Sequence, residues 1–231
     1  MKTILITGIN KGLGKELFSQ FVEKGYFVFG LLRNESIYND LKINKPLNVE
    51  YILADVSQDD CISKIQEIIK NKKIDLVINN AGIGGEGMTL EETTSKEIMD
   101  LINVHCLGVF RIMKAVIDNL KRNNNTTVIN LNSRLGSITH QNIGTFKDME
   151  VSYSYRIAKS SQNMLTNSLR LEFEDVNFVS LTPGRLSTKI EHKAIYITPA
   201  ECTKRIIEYW EQEKFENTNG ILEVPDKITE W

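Results

Sequence analysis

Short apolar runs alternate with amphipathic stretches along the whole chain. The first run, Thr3-Ile4-Leu5-Ile6-Thr7, stops at Gly8, and a helical pattern follows from about Leu13 to Lys24, closed by Gly25. Tyr26-Phe27-Val28-Phe29-Gly30-Leu31-Leu32 reads as a buried strand, followed by a polar helix candidate and a third strand, Val49-Glu50-Tyr51-Ile52-Leu53. Ile62, Ile65, Ile68 and Ile69 form a helical stripe before a fourth strand, Ile74 to Asn79. The longest helical pattern runs from about Ser95 to Lys121. After it come a strand at Thr127 to Leu131, a helix from about Ser152 to Glu172, and a strand at Phe178 to Leu181 that ends in Pro183-Gly184. A helix from about Pro199 and a short strand near Gly220-Ile221-Leu222 complete the series. Continuous apolar strands separated by helices predict an α/β fold, a doubly wound parallel sheet covered on both faces. No repeat, low-complexity segment or shift in composition divides the chain, so residues 1–231 read as one domain. In such a domain the ligand sits at the carboxyl ends of the strands, near the switch point.

Composition narrows the function classes. The chain is 41% hydrophobic and 25% charged, ordinary values for a globular protein. A net charge of −2 gives no reason to expect nucleic acid or an anionic membrane as partner. The first apolar run is too short for a signal peptide or a membrane span. Cys61, Cys106 and Cys202 are far apart and make no metal or redox spacing, so they read as reduced packing residues of a cytoplasmic protein. His105, His140 and His192 make no metal spacing either. Only His140, between Ser133 and Tyr155, is placed to line a pocket, or else it lies exposed in its loop.

The turn after the first strand carries the first chemical signal. Gly8-x-x-x-Gly12-x-Gly14 joins a strand to a helix, the setting in which free N–H groups meet a phosphate. Gly8 allows a sharp turn, Gly12 lets backbone approach a pyrophosphate, and Gly14 lets helix and strand pack closely. No Gly-Lys-Ser/Thr follows, which argues against ATP chemistry. Arg33 closes the second strand, where a Rossmann-type protein selective for NAD holds an acidic residue. A cation there suits the 2′-phosphate of NADPH, with Lys11 as a second charge; the alternative is a solvated Arg33 with Glu35 on the ribose. Asp55 either accepts from the adenine amino group or caps a helix. Asn79-Asn80-Ala81-Gly82 ends the fourth strand with small and amide residues, as close approach to a cofactor requires.

The second half supplies candidate catalytic groups. Tyr155 and Lys159 stand four apart on one helical face, where an ammonium would lower the phenol's pKa and the phenol could pass a proton to or from an alcohol oxygen. Ser133, at the end of the fifth strand, either holds the substrate oxygen or caps a turn. Asn103, a poor helix former inside the longest helix, interrupts it to hold water or orient Lys159, or faces solvent.

Together these residues resemble the short-chain dehydrogenase/reductase family over nearly the whole chain. Thr7-Gly8-x-x-x-Gly12-x-Gly14 resembles its cofactor turn, Asn79-Asn80-Ala81-Gly82 its strand-four motif, and Asn103, Ser133, Tyr155 and Lys159 its catalytic tetrad. Pro183-Gly184 with Thr188 resembles the segment that holds the nicotinamide carboxamide. The resemblance implies about seven parallel strands, Tyr155 as acid/base assisted by Ser133, and Lys159 shared with the nicotinamide ribose. It adds Asn10, Leu13, Val56 and Leu186 to the cofactor-binding set. Ser133-Arg134-Leu135-Gly136-Ser137-Ile138, the long interval to Tyr155 and the terminal Trp231 most resemble C-factor and sniffer-type carbonyl reductases, although Arg185 departs from them. The implied function is NADPH-dependent reduction of an aldehyde or ketone. An NAD-linked alcohol dehydrogenase and a cofactor-binding regulatory protein are the alternatives. The expected partner is a small carbonyl or alcohol in a pocket of Leu135 to Phe146, Arg185 and Lys189 to Tyr196. The long helices near Ser95 to Lys121 and Ser152 to Glu172 form the family's interface, as a homodimer or homotetramer.

Overall fold

A computed structural model describes residues 1–122, 125–184, 186, 197–215, 220–223 and 227–231. The strands are β1 (Thr3–Thr7), β2 (Phe27–Leu32), β3 (Val49–Leu53), β4 (Leu76–Asn79), β5 (Thr126–Leu131), β6 (Val176–Thr182), β7 (Ile221–Glu223) and β8 (Lys227–Thr229). They form one sheet in the order β3-β2-β1-β4-β5-β6-β7-β8. The order reverses between β1 and β4, and this places a crevice at their carboxyl ends. β1 to β7 are parallel, as the apolar runs predict. The eighth strand is new and antiparallel: Leu222 faces Ile228 across the pair. Its three residues hold one apolar side chain, too few for a period-two pattern to register.

Alternation within β1 divides the core. Ile4 and Ile6 point to one side, where they meet Leu17 and Phe21 of α1 (Gly12–Glu23) and Ile206, Ile207 and Trp210 of a C-terminal helix, Pro199–Glu211. Leu5 points to the other, among Ile65 and Ile69 of α3 (Cys61–Ile69) and Ile112, Val116 and Leu120 of α5 (Gly108–Leu120). Burying each such side chain contributes about 1.5–3 kcal/mol, so both faces hold the sheet. The polar helix candidate is α2 (Glu35–Ile43), which buries none of its residues fully.

The stretch expected as one helix from Ser95 to Lys121 is interrupted. α4 (Ser95–Ile102) passes into a wide π-turn at Asn103–Leu107 before α5 begins at Gly108. Two further elements escaped the pattern, a 3-10 turn at Arg134–Gly136 and the short helix α6 (Ile138–Asn142), each opened by a serine cap. The remaining helices are α7 (Tyr153–Glu172) and α8, the Pro199–Glu211 helix already described. Among the described residues no helix is long and apolar enough to cross a membrane, and Cys61, Cys106 and Cys202 are unpaired.

Candidate active site

A cavity of about 1030 Å³ opens at the carboxyl ends of β1, β2, β3 and β4. Gly8, Asn10, Lys11 and Gly12 form its floor, Arg33, Asp55 and Val56 one wall, and Asn80, Ala81 and Gly82 the other. Gly8 turns with φ of +74° and donates its N–H to Leu31 O at 2.8 Å. A Cβ on Gly14 would lie 2.2 Å from both Gly8 O and Asn80 Nδ2, so the turn closes only with glycine there. α2, α4, α7 and α8 are capped by the side chains of Asn34, Thr94, Ser152 and Thr198, whereas α1, like α3, has no side-chain cap. Gly12, the first residue of α1, lines the cavity, and no acidic residue stands in its first turn. Such a turn can hold an anionic diphosphate.

β4 locks that turn. The N–H groups of Asn80 and Ala81 both reach Thr7 Oγ1 at 3.0 Å, and Asn80 Nδ2 donates to Thr7 O and Gly8 O at 2.9 and 3.0 Å. Asn79 faces the interior instead and donates to Asn130 Oδ1 at 2.8 Å. Arg33 sits 3.5 Å from Asp55, with 63% of its side chain exposed. Asp55 does not cap a helix. Its Oδ1 accepts from the N–H and hydroxyl of Ser57 at 2.9 and 2.8 Å and closes a turn before α3. Burial would raise this carboxyl, but Ser57 and Arg33 together hold it below its ordinary value.

Leu13 and Gly14 lie beneath the cavity in the packing of α1 and do not line it. Sequence reasoning missed Leu31, Leu32, Ala54, Ile83 and Val104 on the walls, because apolar lining looks like core in a sequence. Asn34, Gly84 and Pro199 were also missed. Gly184 turns with φ of +76° beside Pro183, and Leu186 makes a parallel bridge to Ile197. Arg185, Thr188, His192 and the expected pocket segment from Lys189 to Tyr196 lie outside the described residues.

Ser133, Tyr155 and Lys159 come together where the end of β5 meets the first turns of α7. Ser133 follows β5, and its Oγ accepts from Leu135 N at 3.2 Å and bonds to the Tyr155 phenol. Gly136 makes that approach possible, because a Cβ there would fall 2.7 Å from the Lys159 carbonyl carbon. Lys159 is 5% exposed, and its Nζ donates to Leu131 O at 2.7 Å and Gln162 Oε1 at 2.9 Å. Nζ stands 5.7 Å from the centre of the Tyr155 ring. Gln162 carries no sequence signal beyond its place one turn beyond Lys159.

The expected lowering of the phenol by the ammonium is not found. Burial raises Tyr155 above its ordinary value, and only the Ser133 bond opposes it. Burial also brings Lys159 down to about 7. Burial strips hydration from both charged forms, and it is the largest cause acting on each group.

Asn103 does interrupt the helix, as one reading of it expects, for the π-turn begins there. Its Nδ2 donates to Ser57 O at 3.1 Å, and its Oδ1 accepts from Arg111 Nη1 at 2.8 Å, so both ends of the half-buried amide are engaged away from Lys159. The π-turn brings His105 inward instead, and its ring stands perpendicular to Tyr155 with 5.6 Å between centres. His140 stacks on Phe146, and its segment is tied to the chain end: Ser137 Oγ donates to Glu230 O, and Thr139 N to Trp231 O at 2.9 Å.

The sequence profile described as short chain dehydrogenase matches residues 2–195. The chain belongs to the short-chain dehydrogenase family. It is therefore an NAD(P)-dependent oxidoreductase. The 3-oxoacyl-(acyl-carrier-protein) reductase FabG of Buchnera aphidicola is 30% identical over 82% of this chain and 75% of its own length. An NADPH-dependent pterin aldehyde reductase of Arabidopsis thaliana is 23% identical over 82% of this chain and 76% of its own. An NADPH-bound carbonyl reductase from chicken fatty liver superposes with a TM-score of 0.85 at 21% identity, covering 100% of this chain and 99% of that one. Carbonyl reductase Sniffer of D. melanogaster superposes at 0.79 with 22% identity and full coverage of both. At these identities the superpositions speak for the fold of this family member.

Proposed function

We propose that this dehydrogenase reduces an aldehyde or ketone to an alcohol with NADPH, Tyr155 supplying the proton. The observation that carries this reading is the meeting of Ser133, Tyr155 and Lys159, with His105 linking the phenol to the cavity wall at Gly82 and Ile83. The uncapped α1 terminus suits the diphosphate of a dinucleotide, and Arg33 and Lys11 suit a 2′-phosphate. The nicotinamide, when bound, supplies hydride to the carbonyl carbon. As that carbon gains the hydride, its oxygen becomes an alkoxide and takes the phenolic proton of Tyr155. The Ser133 hydroxyl donates to the same oxygen and then stabilises the phenolate left behind. Lys159 offers the N–H not engaged by Leu131 and Gln162 to a ribose hydroxyl or to the phenolate. A phenol kept protonated by burial is suited to the acid role, hence to the reductive direction.

Relatives named for reduction of 3-oxoacyl, pterin aldehyde and carbonyl substrates support a carbonyl as the substrate class. Residues 1–231 act as one domain in this reading, and a cytoplasmic setting suits the three unpaired cysteines. The test is a panel of aldehydes, ketones and diketones assayed with NADPH, followed at the absorbance of the reduced nicotinamide. Turnover of at least one class is expected. An enzyme that binds NADPH and reduces none, yet oxidises alcohols with NAD, would overturn the proposed direction and cofactor.

A further inference from the structure

His105 is buried beside the Tyr155–Lys159 pair and has no task in the reaction described above. It is 3% exposed, within the π-turn at Asn103–Leu107. Its Nε2 lies 2.8 Å from Ile83 O and 3.3 Å from Ile83 N. The shorter contact puts the proton on Nε2, which donates to Ile83 O. Nδ1 is then a buried acceptor with no partner among the described residues. The ring packs against Gly82, where a Cβ would come within 2.6 Å of its Cε1. Gly82, Ile83 and Gly84 line the cofactor cavity, and the ring's other neighbour is the phenol. One imidazole therefore touches both the cavity wall and the residue proposed as acid. Burial, then the neighbouring Lys159, keeps it neutral, with its pKa brought down to about 3. A phenylalanine would fill this space without leaving a buried nitrogen unpaired, so packing alone does not account for a histidine.

We propose that His105 is a positioning residue for the reaction: its bond to Ile83 fixes the cavity wall, and its ring holds the Tyr155 phenol against that wall. The inference rests on the reductase reading for its kinetic part only. The experiment compares His105→Phe, which keeps a ring and loses the bond, with His105→Gln, which returns an N–H donor at similar reach and loses the ring. NADPH affinity by fluorescence titration and kcat are measured for each. His105→Phe should weaken NADPH binding about tenfold and lower kcat by a similar factor. His105→Gln should recover NADPH affinity to within about threefold of wild type while kcat stays depressed, since only the wall is restored. Wild-type affinity and rate in His105→Phe would overturn the proposal, as would NADPH binding in His105→Gln no better than in His105→Phe. Should His105→Phe not fold, Gly82→Ala pushes on the ring from behind. It should reduce affinity and rate together, and unchanged values there would also refute the role. A wild type that binds NADPH and reduces no carbonyl would remove the reductase reading, while the affinity comparison would still decide the role of His105.

Discussion

Burial acts in opposite directions on Tyr155 and Lys159, raising the phenol and bringing the ammonium down to about 7. The phenol is thus held as a proton donor across the neutral range. Tyr155→Phe removes that proton and little else, so kcat should fall by about 10²–10⁴ while NADPH binds nearly as before; substantial turnover in the pure variant would place the acid elsewhere. Lys159→Met should lower both cofactor affinity and rate, and a variant with impaired rate but wild-type affinity would refute a shared role. His105 gives a separate, thermodynamic prediction. Its folded pKa is depressed to about 3, against about 6.5 in an unfolded chain. Between those values the unfolded state binds a proton that the folded state refuses, so stability falls as pH drops from about 6.5 toward 3. His105→Gln removes this linkage. The unfolding free energy of the variant should gain on wild type by about 1.4 kcal/mol per pH unit between roughly pH 6 and pH 4, measured by denaturant titration. A constant difference would show that the imidazole is not excluded from protonation.

At the level of elements, the site depends on how closely the turn after β5 approaches α7. Gly136 sits against Lys159 backbone, its missing Cβ only 2.7 Å from the carbonyl carbon, and Asn163 Nδ2 and Ser160 Oγ donate to Gly136 O at 3.1 and 2.8 Å. Asn132 reinforces the join by bonding Asn163 and Ser180. Gly136→Ala must therefore separate turn and helix. It should cost about 1–3 kcal/mol of stability and lower kcat at least tenfold, because Ser133 and Tyr155 lie on the two parts being separated. Unchanged melting and activity would mean that the turn yields freely. The strands behind this join were legible because β5 and β6 each carry a mostly apolar stretch, and Tyr155, Lys159 and Ser133 stood out by spacing and by their place at strand and helix ends. The π-turn was not. A period of 3.6 describes Ser95 to Lys121 on both sides of it, so periodicity does not show that His105 rather than Asn103 turns its side chain toward Tyr155. The turn at Arg134–Gly136, α6 and β8 are too short to carry a period at all.

Across the whole molecule, a net charge of −2 hides a local asymmetry. Lys11 and Arg33 both border the cavity, on the floor and the wall, Lys11 at the uncapped start of α1 and Arg33 just after β2. NADPH differs from NADH by a 2′-phosphate of about −1.5 to −2 charge, the group these cations are placed to meet. Arg33 is not idle without it, for Asp55 lies 3.5 Å away, and binding must weaken that pair. Because 63% of the Arg33 side chain is exposed, the gain from its contact is screened, and about 1–1.5 kcal/mol, or roughly tenfold in affinity, is the net expected from it. No acidic residue stands at Leu32, beside Arg33, to repel the phosphate. The wild type should therefore bind NADPH more tightly than NADH, by a margin that shrinks as salt is added. Arg33→Ala should remove most of the margin and leave NADH affinity close to wild type, since the adenosine ribose without its phosphate makes no demand on a cation. Paired cofactor titrations at low and high ionic strength decide the matter. Equal affinities in the wild type would shift the choice to Glu35, at the start of α2, as an acidic ribose ligand. A preference that survives the loss of Arg33 would assign the phosphate to Lys11.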